Sequence, residues 1–387
     1  MSDDRLKPDY DNQDPYRHVA AGRKAVGALI LALLLALAAI LFVDRSAEGQ
    51  ELRFFRIGTG TAGGTYFPIG GMIASAISGP PGAPDCEHGG TCGVPGLIAV
   101  ALTTEGSVAN IEMLQDGLIE AAMVQADVAF WAATGTGPFV GQQPMVDIAA
   151  IGRLYTEQLH VVVDADSEIH EFADLVDHRV SLGPIGSGTL VLARSLLDAF
   201  GISEQDMDAQ YLRPEEAADL LADGDLDAFL IVGGAPVLAV ADLAMRHDIR
   251  LVPIDGAEVI QLIYDQPFLV NTRISGSSYQ GVEAQRTLGV GSLLVVRRSL
   301  DDDTVYRLTR ALWHPTTSTL LTNSHPRGRD IVLVDAMRGV PIPLHPGAEA
   351  YYRLVGIAPL EGGRPAISPA EAPPSLAEAR RATSPEG

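Results

Sequence analysis

The feature that most constrains the fold is a unit that recurs from Arg53 onward. Each unit has a short apolar strand, a turn of Gly, Ser or Thr, and a helix with apolar residues at i, i+3 and i+4. Alternating strands and helices predict an α/β fold, with parallel strands and helices on the faces of the sheet. The five units are "FFRIGTG" with "PIGGMIASAIS", "GLIAVALTTEG" with "SVANIEMLQDG", "LIEAAMV" with "QADVAFWAATG", "HRVSLGPIG" with "SGTLVLARSLLDAFG", and "LDAFLIVGG" with "APVLAVADLAMRH".

Two stretches break this alternation and predict passages between two lobes. "MVDIAAIGRLYTEQLHVVVDADS" contains two apolar strands with no helix between them, and the stretch from "HDIRLVPID" to "TLGVGSLLVVRRSL" predicts the return. We therefore expect two sheets, with residues 53–153 and 265–360 in lobe 1 and residues 154–264 in lobe 2. Residues 361–387 are rich in Pro, Ala, Glu and Arg, which predicts a disordered tail.

An apolar run near the N-terminus predicts a membrane segment. Ala25–Val43 is uncharged and almost wholly aliphatic, and its length is close to the ~20 residues that a spanning helix needs. Basic residues precede it, which predicts that residues 1–24 form a cytoplasmic leader. The alternative is a cleaved signal peptide, but its apolar region is normally about 7–15 residues, and the candidate cleavage site "DRSA" places Arg45 where a small residue is needed. We favour an uncleaved anchor; both readings export the main domain.

Charge and cysteine content limit the partners. The net charge is −22, from 49 acidic and 27 basic residues, and such a surface repels phosphates, so we expect no nucleic-acid partner. The two cysteines, Cys86 and Cys92, predict a disulfide in an oxidising compartment. Zinc is the alternative because His88 and Glu87 lie between them, but two thiols and one His fall short of a structural zinc set. We therefore expect no metal.

The first turn contains Gly58, Gly60 and Gly63 in the G-x-G-x-x-G spacing of dinucleotide sites. A dinucleotide site also needs an acidic residue at the end of a strand about 20 residues later. Here that region is the proline-rich "SGPPGAPDCEHGG", which predicts a loop, and a Walker A sequence is absent. We therefore expect no nucleotide cofactor.

The same kind of turn recurs at other strand ends. "GTAGGT" (60–65), "TTEGS" (103–107) and "GPIGSGT" (183–189) each precede a helix, and "VQAD" (124–127) and "VGGAP" (232–236) are weaker versions. The first amides of a helix lack internal acceptors and carry partial positive charge, and glycine lets an anion approach them closely. Helix capping alone would explain each turn taken singly. Their recurrence in both predicted lobes favours a shared anion-binding cleft.

Motifs for an exported hydrolase are missing. The sequence has no G-x-S-x-G elbow and no H-E-x-x-H pair. His160 and His345 are single histidines, which are commonly packed or surface groups. We therefore do not expect an enzyme.

Taken together, these segments resemble the TAXI family of solute receptors of TRAP transporters. The family's order is matched by "IGTGTAGGTYFPIGG", "TTEGSVANIEML", "MVQADVAFWAATGTGPF", "LHVVVDADS", "RVSLGPIGSGT", "LADGDLDAFLIVGGAP", "RLVPID" and "GVPIPLHPGAEAYYR". The resemblance covers Ile57 to Gly356. It implies a two-lobed, periplasmic-binding-protein-like (type II) fold with a hinge and a central cleft. The N-terminal transmembrane helix predicted at 25–43 departs from the cleaved signal peptide usual in this family, and it would hold the fold at the periplasmic face of the bacterial inner membrane.

The resemblance also implies a function. The receptor would capture a small anionic solute, a glutamate-like amino acid or a dicarboxylate, and deliver it to the membrane subunits of a sodium-coupled TRAP permease. A membrane-anchored sensor or scaffold of the same fold is the alternative, since both functions use one binding fold. The ligand contacts that the resemblance implies are Gly60, Thr61, Gly63, Thr65, Tyr66, Ser107, Asn110, Gln125, Ser187, Gly188, Thr189, Gly233 and Gly234.

Three residues keep two interpretations each. Tyr66 either covers the ligand or packs in the core. Asp127 either binds an ammonium group or, as we favour, stabilises its own helix from the first turn. Arg153 either pairs with a distal carboxylate of the ligand or forms a salt bridge with Glu157 or another acid, which we favour.

Overall fold

The computed structural model describes residues 30–34, 52–83 and 92–357. Residues 30–34 are helical, and within the described ranges no helix is both long enough and apolar enough to cross a membrane. Most of the predicted anchor, Ala25–Val43, lies outside these ranges, as do the leader at 1–24 and the tail at 361–387. Cys92 takes part in a disulfide. Cys86 lies outside the described residues, so its pairing with Cys92 stays a prediction.

From Leu52 onward, strands and helices alternate along most of the chain. The strands are β1 (Arg53–Gly58), β2 (Ser78–Gly79), β3 (Val94–Pro95), β4 (Leu97–Leu102), β5 (Ala121–Gln125), β6 (Ile148–Asp164), β7 (Arg179–Ser181), β8 (Asp208–Gln210), β9 (Ala228–Gly233), β10 (Ile249–Leu251), β11 (Leu269–Ile274) and β12 (Gln285–Arg297). The α-helices are α1 (Tyr66–Ile77), α2 (Ser107–Gln115), α3 (Ala126–Thr134), α4 (Gly188–Phe200), α5 (Pro214–Ala222), α6 (Leu238–Arg246), α7 (Ala257–Asp265), α8 (Asp302–Leu312), α9 (Pro315–Ser324) and α10 (Pro346–Leu354).

Ten strands form one mixed sheet in the order β4-β1-β5-β12-β6-β9-β7-β8, with β10 on β6 and β11 on β12. Strands β4, β1 and β5 are parallel and form the first half-sheet. Strands β9, β7 and β8 are parallel and form the second half-sheet. Residues of β5 and β9 are buried throughout, as expected of parallel strands that are covered on both faces.

Two long strands, β6 and β12, join the half-sheets. One end of β12 pairs with β5, and the C-terminal part of β6 pairs with β9. Between them, Thr156 lies opposite Gly291 and Arg153 lies opposite Leu293, so β6 has one residue more than β12 over this interval. This is a β-bulge, which bends a strand and interrupts the regular alternation of its side chains.

The continuity of β6 corrects one expectation. The sequence predicts two strands in "MVDIAAIGRLYTEQLHVVVDADS" and two separate sheets, but the segment forms one 17-residue strand in one sheet. The strand remains continuous because its backbone pairs with β12 along one edge on both sides of the bulge. The expected lobe boundaries, 53–153 with 265–360 and 154–264, stay a prediction.

The helices begin and end at residues suited to those places. Helix α4 begins after Ser187, whose hydroxyl accepts a hydrogen bond from the Leu190 N–H, and ends at Gly201 in the left-handed conformation. The largest hydrophobic cluster includes Val124 of β5, Leu190 of α4 and Leu230 of β9, so it spans both half-sheets. The strand ends that precede α2, α3 and α4 are therefore held close together.

Candidate functional site

The glycine turns at the strand ends face one another across the two half-sheets. A Cβ placed on Gly106, before α2, would lie 3.4 Å from the Cα of Ser187, before α4. Gly106 has φ of 121°, a conformation that favours glycine. A Cβ on Gly186 would lie 3.4 Å from the Cβ of Ala109 on α2. The predicted convergence of the turns on one gap is therefore present.

Backbone hydrogen bonds cross this gap. The N–H groups of Val108 and Ala109, in the first turn of α2, both donate to the carbonyl of Gly186 at 3.0 Å. Likewise, the Ala239 N–H in the first turn of α6 donates to the Gly63 carbonyl at 3.0 Å. These amides are among those that a helix cannot pair internally, and here each meets an oxygen of the opposite half. These hydrogen bonds join the two half-sheets at the glycine turns.

Side chains at and beside the first turn of α5 add contacts between the two half-sheets. The Gly63 N–H donates to a carboxylate oxygen of Glu215, in the first turn of α5. Close by, Arg213 forms an ion pair with Glu105, with Nε donating to Oε2 at 3.2 Å. The contact between Glu215 and Gly63 shows a carboxylate bound by the glycine turn that the sequence predicts as an anion site.

The gap encloses a cavity of about 60 Å³. This volume is smaller than the ~300–1,000 Å³ that is common for small-molecule pockets. No Lys, Arg or His is among the described residues that line the cavity, whereas Glu105 and Glu157 are. The lining comprises Gly60, Thr61, Gly64, Thr65, Tyr66, Glu105, Gly106, Ser107, Gln125, Glu157, Pro184, Ser187, Gly188, Thr189, Leu212, Pro214, Leu230, Ile231 and Val232.

Most of the predicted contact residues meet at this cavity. Those that line it are Gly60, Thr61, Thr65, Tyr66, Ser107, Gln125, Ser187, Gly188 and Thr189. The other four, Gly63, Asn110, Gly233 and Gly234, do not. Gly63 lies against Glu215, as described above. Gly234 packs against Arg327 and Tyr155, and its carbonyl accepts a hydrogen bond from the Thr65 hydroxyl at 2.9 Å.

Asn110 lies outside the cavity lining and makes structural hydrogen bonds. Its side chain is fully buried, and its amide nitrogen donates to the carbonyls of Thr59 at 2.6 Å and Met123 at 2.8 Å. Its amide oxygen accepts from the Thr104 hydroxyl at 2.8 Å. Asn110 therefore connects β5 with the turns that follow β1 and β4, and a ligand contact at this position stays a prediction.

Glu157 on β6 is the functional candidate that the sequence analysis missed. Its side chain is 2% exposed, and its Oε2 accepts a hydrogen bond from the Tyr66 hydroxyl at 2.6 Å. Burial raises the pKa of Glu157 to about 8, and the nearby carboxyl of Asp127 adds to the rise. Tyr66 is thus both a buried packing residue and part of the cavity wall. The signal in the sequence is an acid within the predicted strand segment "GRLYTEQLHVVV", since buried acids are rare unless paired.

Asp127 and Gln125 lie at the junction of β5 and α3 and leave hydrogen-bonding capacity unused. Asp127 is fully buried; its Oδ1 accepts from the Val128 N–H at 2.8 Å, as a helix-stabilising carboxylate would, but its Oδ2 has no partner. Burial raises the pKa of Asp127 to about 7. Gln125 is also buried, and its Oε1 has no partner. An unpaired acceptor of Gln125 therefore lies in the cavity wall, and an unpaired acceptor of Asp127 lies near Glu157.

Among the described residues, Arg153 forms no salt bridge with Glu157 or with another acid. Its Nη2 donates to the Thr156 hydroxyl at 2.5 Å, and the acid that attracts its charge most strongly is Asp335. In a regular strand, the side chains of residues 153 and 157 would point to the same face of the sheet. The β-bulge between them interrupts this alternation.

The two singled-out histidines have structural hydrogen bonds. His160 is buried; its Nδ1 bonds the Gln158 carbonyl at 3.0 Å and its Nε2 bonds the Tyr279 hydroxyl at 2.8 Å. Burial lowers the pKa of His160 to about 4, so the ring is neutral at pH 7. His345 precedes α10 and accepts from the Gly347 N–H at 3.1 Å.

Several solved structures of binding proteins are similar to this chain. The chain is similar to the alkanesulfonate-binding protein SsuA from Xanthomonas axonopodis pv. citri bound to MOPS (16% identity, 86% of this chain, 90% of that chain, TM-score 0.42). It is similar to the substrate binding protein of an amino acid ABC transporter (16% identity, 71% of this chain, 100% of that chain, TM-score 0.42). It is also similar to the ligand binding component of an ABC-type import system from Staphylococcus aureus with zinc bound (11% identity, 84% of this chain, 98% of that chain, TM-score 0.45). Residues 57–356, well over half of the chain, match the NMT1-like family. The protein therefore belongs to the NMT1-like family.

Proposed function

We propose that the protein is an extracytoplasmic solute-binding receptor that captures a small carboxylate in the cleft between its half-sheets. The observation that carries this proposal is the carboxylate of Glu215 on the Gly63 amide, beside a cavity walled by opposed helix starts. The solute would be a glutamate-like amino acid or a dicarboxylate. Its carboxylate would bind the turns that contain Gly60–Thr65 and Ser187–Thr189.

Backbone amides suit an anion site in so acidic a protein. A basic pocket would need cationic side chains, and the described cavity lining has none. A helix terminus contributes about 0.3–1 kcal/mol to anion binding, and up to ~2 kcal/mol when partly buried. A hydrogen bond to a charged group adds roughly 1.5–3 kcal/mol. A few such contacts reach the ~8 kcal/mol of micromolar affinity after ordering costs.

The receptor would deliver its solute to a TRAP-type permease. This part of the proposal follows from the resemblance of the ordered segments between Ile57 and Gly356 to the TAXI receptors. The apolar run Ala25–Val43 would anchor the receptor at the periplasmic face of the inner membrane. A tether of this kind raises the receptor's local concentration beside a membrane partner without adding any contact.

A binding screen tests the receptor function. Purified full-length protein is heated with and without monocarboxylates, dicarboxylates, amino acids and neutral sugars, and hits are measured by isothermal titration calorimetry. We expect at least one carboxylate to raise the melting temperature and to bind with a Kd in the micromolar range or below. Stabilisation by sugars and by no carboxylate would contradict the proposal.

Delivery needs a separate experiment. The protein is reconstituted in proteoliposomes with a candidate TRAP permease, and uptake of the bound solute is followed with and without a sodium gradient. We expect uptake to require both the receptor and the gradient. Uptake that is unchanged by removal of the receptor would contradict the transport role and leave the binding function standing.

A further inference from the structure

We infer that the cleft selects solutes that carry an ammonium group, which binds Glu157 and Gln125 in the cavity wall. The receptor would then take amino acids in preference to amine-free dicarboxylates. This inference rests on the proposed receptor function and narrows its solute class.

Glu157 is a buried acid with no cationic partner. It lines the cavity, and its titratable neighbours are the Tyr66 hydroxyl at 2.6 Å, the carboxyl of Asp127 and the phenol of Tyr155. Across the part of the chain that the structure describes, no Lys, Arg or His forms an ion pair with Glu157 or Asp127. A buried carboxylate without a counter-ion is costly, so the site favours a ligand that supplies positive charge.

Two of the unpaired atoms in this region can only accept, which gives an independent indication of the ligand's chemistry; the hydroxyls of Tyr155 and Ser292, also unpaired, can donate as well as accept. Gln125 is 3% exposed and lines the cavity, and its Oε1 has no hydrogen-bond partner. Asp127 is 0% exposed, and its Oδ2 also has none. Acceptors are satisfied by donors, and an ammonium group offers three N–H donors together with a positive charge. A dicarboxylate without an amine offers no such donor and adds negative charge.

The protonation of the acid pair agrees with this geometry. Burial raises the pKa of Glu157 to about 8 and that of Asp127 to about 7, so the empty site holds protons at neutral pH. A bound ammonium stabilises the carboxylate form of Glu157 and lowers its pKa again. Binding of an amino acid is therefore accompanied by proton release. The titratable groups that face Glu157 are Tyr66 from α1, Tyr155 on β6 and Asp127 from α3.

Two regions of one cavity would divide the ligand between them. Tyr66 connects the regions, because its ring begins beside Gly60 and its hydroxyl reaches Glu157. The glycine turns would take the carboxylate, and the acid in the wall would take the ammonium. Gln125 also packs directly against Gly188 on the opposite half, so closure brings the amide to the bound ligand.

The test compares matched pairs of ligands that differ only in the amine. Full-length protein is titrated at pH 7.5 with L-glutamate and 2-oxoglutarate, with L-alanine and pyruvate, and with L-leucine and its 2-oxo acid. We expect the amino acid of the best-binding pair to bind at least tenfold more tightly than its 2-oxo acid. Glu157→Gln keeps an acceptor for Tyr66 and removes the charge, and we expect it to reduce that preference at least tenfold. The control is Glu112→Gln, the same chemical change at an exposed position on α2, and we expect it to leave the preference unchanged.

The outcomes separate the two proposals. If a 2-oxo acid binds as tightly as its amino acid, or if Glu157→Gln leaves the preference intact, the ammonium inference is wrong and the receptor function stands. If none of the six compounds nor any other carboxylate binds, the proposed function fails as well. Stabilisation of the ligand-free protein by Na⁺ over choline, lost in Glu157→Gln, would assign the site to a metal cation and overturn the inference.

A second measurement does not depend on the folding of a variant. Calorimetric titration of the wild-type protein at pH 7.0 in buffers of different ionisation enthalpy gives the number of protons released on binding. We expect a substantial fraction of one proton for an amino acid and about none for its 2-oxo acid. Equal proton release for both ligands would contradict the assignment of the ammonium to Glu157.

Discussion

Replacement of Glu157 by Gln tests the electrostatics of the cavity through stability alone, without any ligand. The folded-state pKa of Glu157 is about 8, against an ordinary value of 4.5, because the carboxyl is buried beside Asp127. Between these pH values the folded protein retains a proton that the unfolded chain releases. The stability gained from the neutral carboxyl is therefore fully present below about pH 4.5 and is lost as pH rises through about 8. The difference between these two pKa values corresponds to a loss of roughly 5 kcal/mol in the free energy of unfolding, at ~1.36 kcal/mol per pH unit.

Gln is neutral at every pH, so Glu157→Gln avoids this loss. We expect the free energy of unfolding of the variant to rise by several kcal/mol relative to wild type between pH 5 and pH 8.5. Urea denaturation of both full-length proteins across this range, followed by tryptophan fluorescence, measures the difference. Asp127 titrates over an overlapping pH range, but it is present in both proteins. It therefore does not produce the pH-dependent difference in stability between them. A difference that is independent of pH, or that favours wild type as pH rises, would refute the buried-acid account.

Three further substitutions test other parts of the site. Asn110→Ala removes the hydrogen bonds that connect β5 with the turns after β1 and β4, and we expect the free energy of unfolding in urea to fall by about 2–4 kcal/mol. A loss below ~0.5 kcal/mol would contradict that role. Gly188→Ala places a methyl group against the side-chain amide of Gln125 across the cleft, so we expect at least tenfold weaker carboxylate binding by calorimetry. The control Gly71→Ala has open space around its Cβ, and we expect it to leave the affinity unchanged. Arg213→Gln breaks the exposed ion pair with Glu105, and we expect a stability change below ~1 kcal/mol but faster ligand release in stopped-flow dissociation; an unchanged release rate would contradict its role in closure.

Much of the fold is local in origin and could be predicted from the sequence. The apolar runs of β5 and β9, the Ser187 cap and the glycine turns all act within a few residues. Nine of the thirteen predicted contact residues consequently lie at one cavity. The parallel order within each half-sheet also follows from the alternation of strands and helices.

The remaining features depend on contacts between distant segments. The continuity of β6 depends on its pairing with β12, more than 120 residues later, and the bulge near Thr156 comes from the register of that pair. No periodicity within "GRLYTEQLHVVV" reveals this register. Glu157 was therefore considered only as a partner of Arg153, although the fold places it against Tyr66 in the cavity wall. The hydrogen bonds of Asn110 cannot be read from the sequence for a similar reason, because the carbonyls that accept them belong to Thr59, after β1, and to Met123, in β5.

The central claim is that the backbone amides of opposed glycine turns form a carboxylate site between the half-sheets. Hydrogen–deuterium exchange of the full-length protein, with and without the tightest-binding carboxylate, tests it most directly. We predict slower exchange in peptides covering residues 60–66, 105–109 and 184–190, and unchanged exchange in α8 and α10, which contact one another away from the cavity. Protection confined to other segments, with none at the glycine turns, would contradict the account.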